Sequence, residues 1–146
     1  MTRPLPTTQP LSETVFVAGQ LAPEDVAELA TCGVATIVNN RPDGEEADQP
    51  PGAEIEAAAL AAGISYLHIP VAETFSAEKV AAMGEALAGA KGNVVIFCRS
   101  GTRSAYLWAL ARARQGADVE EMVFRAGQAG YNLRPILPWL KGATEA

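Results

Sequence analysis

At 146 residues, 49% of them apolar, the chain is long enough for one hydrophobic core and too short for two, so it reads as a single domain over 1–146 with residues 1–12 a flexible start. Its net charge of -6, with no long Lys/Arg run, argues against nucleic acid as a partner. The absence of an unbroken run of roughly eighteen apolar residues argues against a membrane span or membrane partner, and the expected location is the cytoplasm.

Cys32 and Cys98 are far apart and form no CxxC pair, which suits free thiols in a reducing compartment. The charge is unevenly spread. Residues 91–146 carry eight basic and four acidic side chains, a local positive field suited to a small anionic substrate.

In chain order, short β-branched runs alternate with Ala-rich stretches, the pattern of an α/β domain. Val15 to Val17 reads as a strand. Pro23 opens a helix stopped by Gly33, and Val34 to Val38 is a buried strand. NNRPDGEEADQPPG is too polar and too rich in Pro and Gly for either period, hence a long loop. A helix over 53–62 and a strand over 64–69 follow, and Ser76 caps a helix to about Ala88. Asn93 to Phe97 is the most strand-like run and leads directly into CRSGTRS. SAYLWALARAR, over 104–114, is apolar on nearly every face and reads as a buried helix. Further helices are expected over 119–126 and 135–140.

Strands joined through helices by right-handed crossovers form a parallel sheet with both faces covered, whose carboxyl ends share one edge. Ligands of open α/β sheets bind at that edge. The segments after Val38, Ile69 and Phe97 are therefore expected to converge, bringing Asn39, Arg41, Asp43 and Glu73 toward Cys98 to Ser104.

The chemistry is expected in the loop from Cys98 to Arg103. Backbone amides wrapped around a helix start, including those of Arg99, Ser100, Gly101 and Thr102, can form a nest for an oxyanion, reinforced by the helix dipole. That setting favours a cysteine as thiolate, the nucleophilic form. Arg103 can grip two oxygens of a tetrahedral anion through its planar fork, and Ser104 can donate its hydroxyl to the sulfur or to a leaving group. Asn39 and Arg41 are candidates to orient substrate or brace the loop. Glu73 and Asp43 are candidate general acids. GEEAD reads as a solvated acidic face, His68 as structural, and Cys32 as core packing. One histidine and two separated cysteines make no recognisable metal site, and no cofactor is expected.

NNRPDGEEADQP, HIPV, CRSGTRS with the following LWALARA, and AGYNL resemble segments of the phosphatase-like domain of the β-lactamase-hydrolase-like protein family. The resemblance implies a dual-specificity-phosphatase-like fold, here a three-layer arrangement around a parallel sheet of about four strands, with Cys98 as nucleophile and Arg103 as anion clamp. It also implies a link to rhodanese-like sulfur transfer, and a separate persulfide-oxidising metallo-β-lactamase-like protein as partner. CRSGTR departs from the phosphatase pattern in having four rather than five residues between Cys and Arg, and Phe97 where a His is usual. A shorter amide ring fits a terminal sulfur better than a phosphoryl group, and the segment VAETFS lacks the usual Asp acid. The sequence alone therefore favours a rhodanese-type sulfurtransferase passing thiosulfate or persulfide sulfur through a Cys98 persulfide. A phosphatase forming a phosphocysteine, and a non-catalytic anion-binding or persulfide-carrier module, are the alternatives.

Overall fold

In NVVIF, Val95 and Phe97 bury on one side and Val94 and Ile96 on the other, as a central parallel strand requires. A computed structural model describes residues 8–145, with side chains as far as Gly142. The elements are β1 (Thr8–Pro10), β2 (Val15–Ala18), α1 (Pro23–Thr31), β3 (Val34–Asn39), α2 (Gly52–Ala61), β4 (Ser65–His68), α3 (Ala77–Gly89), β5 (Asn93–Phe97), α4 (Thr102–Arg114), α5 (Val119–Gln128), a 3-10 turn (Arg134–Ile136) and α6 (Leu137–Glu145).

The sheet order is β1-β2-β5-β3-β4, with β2 to β4 parallel and β1 antiparallel at the edge. On one face Val26 and Leu29 of α1 and Ile55 of α2 pack against Ile37 and Phe97. On the other, Met83 of α3, Leu107 and Trp108 of α4, Met122 of α5 and Leu140 of α6 pack against Val17, Val38 and Ile96. Two apolar layers thus enclose the central strands β2, β5 and β3, while the outer strands β1 and β4 are largely exposed, in an α/β fold with a mostly parallel sheet flanked by helices.

Three expectations are corrected. The sheet has five strands rather than about four, one of them antiparallel. Residues 8–12 are not a flexible start: Thr8–Pro10 pairs with β2, and Leu11 is fully buried with its amide on the Val15 carbonyl. TQP carries no strand pattern, and its proline is tolerated because β1 is an edge; residues 1–7 lie outside the described residues. α4 begins at Thr102, two residues before the expected Ser104, which places Arg103 in its first turn. Among the described residues no helix is long and apolar enough to cross a membrane.

Register fixes the site. Phe97 lies level with Ala18 of β2 and with Asn39 of β3, and Asn39 with His68 of β4, so four strands end at one edge.

Candidate active site

The segments leaving those strand ends are tied together by their backbones. The Gln20 amide donates to the Arg99 carbonyl at 3.1 Å, Asn40 to Phe97 at 2.8 Å, and Val71 to Asn40 at 2.9 Å. A Cβ at Gly19 would stand 3.0 Å from the Arg99 carbonyl, so the close approach of the β2 end needs a residue without one. The expected convergence of the segments after β3, β4 and β5 is present. The segment after β2, carrying Gln20, is an addition the sequence reading lacked.

Asn40 knots the edge together. Fully buried, it donates from Nδ2 to the Ile69 carbonyl at 2.9 Å and accepts at Oδ1 from Ser104 Oγ at 2.7 Å. Ser104 is also fully buried. Its hydroxyl proton is directed at Asn40 and not at the sulfur or a leaving group, which corrects the donor role expected from sequence.

Cys98 is buried directly beyond β5, and its Sγ accepts a hydrogen bond from the Gly101 amide at 3.1 Å. The sulfur thus meets a polar donor. Gly101 is the α4 N-cap at φ 97°, a left-handed conformation that L side chains rarely adopt. Beyond it the first-turn amides have no acceptor inside the helix and remain available to an anion. Ser100 and Thr102 are exposed, and their hydroxyl oxygens lie 3.3 Å apart.

Arg103 leans back over the loop. Its Nη1 donates to Glu45 Oε2 at 2.8 Å and to the Val71 carbonyl at 2.7 Å, and its Nη2 donates to Glu45 Oε1 at 2.9 Å. A guanidinium has five N–H groups in a rigid plane, so Glu45 on the end-on edge and the Val71 carbonyl take three of them, and the guanidinium also stands within hydrogen-bonding reach of the Cys98 sulfur. Glu45's hydrogen bonds hold the Arg103 pKa above its ordinary value against the opposing effect of burial, and the neighbouring Cys98 sulfur raises it further. The Glu45 carboxyl is in turn lowered to about 2, chiefly by its hydrogen bond from Arg103 and then by Arg41, with burial working against both.

The acidic stretch read as a solvated face is therefore part of the site. Arg41 is only 3% exposed and each of its three side-chain nitrogens is engaged: Nε donates to Glu45 at 2.9 Å, Nη1 to Gln20 at 3.0 Å, and Nη2 to Glu46 at 2.6 Å. Glu46 also binds the exposed Arg99 at Nε, 2.9 Å. Arg41 is thus a brace for the acidic loop and not a free substrate contact. Asn39 accepts the Arg41 amide at 2.9 Å and donates to Tyr66 Oη at 3.0 Å, with no side-chain bond to the Cys98 loop.

The candidate acids are apart from the sulfur's bonded neighbours. Asp43 accepts the Gly52 amide at 2.7 Å and so caps α2. Glu73 is exposed and lines a groove with Phe75, Leu110 and Trp139. His68, read as structural, has its Nε2 2.9 Å from the Arg41 carbonyl. Cys32, expected in the core, is half-buried at the C-cap of α1.

Asn40 had no sequence reading behind it, and Tyr131, a residue of AGYN that could approach the site, had no physical account requiring it there. Asn40 was passed over beside Asn39, although its position one residue past a buried strand was the available signal. Tyr131, in AGYN, donates from its hydroxyl to the Ser100 carbonyl at 3.0 Å.

Residues 8–115 match the family model described as β-lactamase hydrolase-like protein, phosphatase-like domain. A β-lactamase hydrolase-like protein of Xylella fastidiosa strain Temecula1 is 35% identical over 133 residues, which are 90% of this chain and 31% of that protein. The chain thus spans about a third of that curated relative. A solved structure of a candidate phosphatase from Neisseria meningitidis z2491 superposes with a TM-score of 0.80 at 34% identity, covering 92% of this chain and 96% of that one. The structure titled Tk-PTP in the active form, at 19% identity, shares the fold, with a TM-score of 0.72 over 96% of this chain and 97% of its own. These likenesses point to a phosphatase-like hydrolase and lend no support to the sulfurtransferase preferred from loop length. The chain belongs to the family of the phosphatase-like domain of β-lactamase hydrolase-like proteins.

Proposed function

We propose that the chain is a cysteine-dependent phosphatase acting on small phosphomonoesters. The observation that carries this reading is the placing of Arg103: Glu45 and the Val71 carbonyl take three of its N–H groups, and the remaining edge lies beside the Cys98 sulfur, where it can turn to two oxygens of a tetrahedral anion. An arginine so held needs little reorganisation when charge builds on phosphorus, which is where a fixed donor is most effective.

In the proposed reaction the exposed Ser100 side chain turns aside, its peptide staying in place, to admit the ester to the buried sulfur. The Cys98 thiolate then forms an S–P bond as the P–O bond to the leaving group breaks, and the departing oxygen takes a proton. Water next attacks phosphorus, the P–S bond breaks, the thiolate is restored, and the water's proton passes to the base left by the first step. Glu73 is the proposed acid and base. It is exposed on the segment whose Val71 carbonyl binds Arg103, whereas Asp43 is committed to α2 and Glu45 stays ionised.

Hydrolysis of p-nitrophenyl phosphate by wild type and its loss in Cys98→Ser is the expected result. No hydrolysis by wild type between about pH 5 and 8, a window covering the usual range of such acid–base pairs, overturns the reading. One observation favours the sulfur-transfer alternative: the four-residue spacing from Cys98 to Arg103 encloses fewer amides. In parallel, the protein is incubated with thiosulfate and weighed intact. A gain of one sulfur atom on Cys98 without phosphate hydrolysis selects the alternative.

A further inference from the structure

Ser100 and Gly101 share one trans peptide unit, so the Ser100 carbonyl and the Gly101 N–H point in opposite directions. Tyr131 Oη donates to that carbonyl at 3.0 Å, and the N–H on the far side donates to Cys98 Sγ at 3.1 Å. The result is a continuous line from hydroxyl to carbonyl to amide to sulfur. We propose that Tyr131 is a positioning residue that locks the Ser100–Gly101 peptide with its N–H facing the nucleophile. The inference rests on Cys98 being that nucleophile.

The alternative orientation is what makes a lock consequential. Rotation of this one peptide by half a turn would aim the Ser100 carbonyl at the sulfur, replacing a donor with a repelling dipole. Glycine at 101 makes such rotation easy, because it lacks the Cβ that restricts other residues. The loop needs glycine there for two reasons. Its φ of 97° suits no other residue well, and a Cβ would collide with Tyr131 Oη. The ring that forbids a larger side chain is thus the one whose hydroxyl holds the peptide.

Tyr131 is itself fixed from both sides. At the end of α5, Gly130 at φ 97° turns the chain back, with the Tyr131 amide bonded to the Ala126 carbonyl at 2.8 Å. The next residue, Asn132, has its carbonyl held by Tyr106 Oη of α4 at 3.2 Å. Burial raises the Tyr131 pKa, and the charge of Cys98 raises it further, so the phenol keeps its proton and remains a donor. Donation to the carbonyl also polarises the amide and strengthens its N–H toward sulfur, by about 10–30% for such chains.

The test compares Tyr131→Phe with its parent, both carrying Cys32→Ser so that one thiol reports. Phenylalanine keeps the ring over Gly101 and removes the hydroxyl. Alkylation of Cys98 by iodoacetamide at neutral pH is expected to slow about three- to tenfold, the range for weakening one hydrogen bond to a charged group. In p-nitrophenyl phosphate hydrolysis, kcat is expected to fall by a similar factor while KM stays within about twofold, because a uniformly weakened anion site would raise KM instead. An alkylation rate equal to or above that of the parent overturns the lock. A second measurement needs no variant: the Gly101 amide of the wild type is expected to exchange with deuterium more slowly than the Ser100 amide, and equal or faster exchange overturns the lock. Alkylation and exchange do not depend on phosphate turnover. Loss of the phosphatase reading would therefore show as absent hydrolysis with both of these responses intact.

Discussion

Glu45 holds Arg103 by two hydrogen bonds, of 2.8 and 2.9 Å, along the end-on edge of the guanidinium. The carboxylate sets the orientation of the proposed anion clamp and neutralises part of its charge.

Replacing that carboxylate tests its orienting role. In Glu45→Gln an amide N–H faces the arginine, so Arg103 loses one acceptor and its charged partner. The kcat/KM for p-nitrophenyl phosphate should fall about tenfold, comparable to losing one charge-assisted hydrogen bond. Unchanged kcat/KM would show that Val71 alone is enough to orient the clamp.

The same bridge predicts an acid response. Glu45 binds its proton more weakly in the folded state, at about 2 against an ordinary 4.5. Its contribution to stability is therefore complete above about 4.5 and is lost as the pH falls from there toward 2. Urea midpoints measured across that window should fall more steeply for wild type than for Glu45→Gln. Parallel curves would rule out the bridge as a source of acid sensitivity.

Arg103→Lys keeps the charge and loses the planar pair of donors. A fall in kcat/KM of about a hundredfold is expected, as for removal of one transition-state donor elsewhere. A loss below about fivefold would mean that charge alone suffices at this position, contrary to the two-donor geometry argued from the fork.

Ser104→Ala leaves the buried Asn40 Oδ1 without its donor. The expected cost is about 1–3 kcal/mol, read as a shift of the urea midpoint with an unchanged slope. Activity at saturating substrate should fall by no more than a few-fold. A deep loss of kcat with normal stability would restore to Ser104 the role of donor to a reacting group.

Glu73→Gln should slow hydrolysis of alkyl phosphates about a hundredfold and that of p-nitrophenyl phosphate far less, because an acidic phenol leaves without a proton. Equal effects on both substrates would assign the acid to another group.

Much of the scaffold could be read directly from local pattern. NVVIF, flanked by a glycine and a cysteine, is the most strand-like run in the chain, and the alternation of strands with Ala-rich helices pointed to where their carboxyl ends meet. Cys98, Gly101 and Arg103 were visible because their spacing is local. The bridge from Glu45 to Arg103 was not, since 58 residues separate the partners and an acidic loop sequence looks the same whether solvated or paired. Nor could local sequence reveal that Ser104 would turn toward Asn40, 64 residues away. The β1 strand escaped because a Thr-Gln-Pro triplet at an edge carries no apolar period. Loop length argued for sulfur where the likenesses point to a phosphatase-like domain, as it counts residues without reporting how the donors are held.

Asn40 meets no reactant, yet its backbone and side chain join the ends of β3 and β5, the segment after β4 and the first turn of α4. Aspartate there would place a charge in the interior and lose the donor to Ile69; leucine would abandon both polar ends. Tolerance to change in this fold should therefore be lowest at a position that only braces the Cys98 loop from behind, and variants there would surface as a misaligned loop before they surface as unfolding.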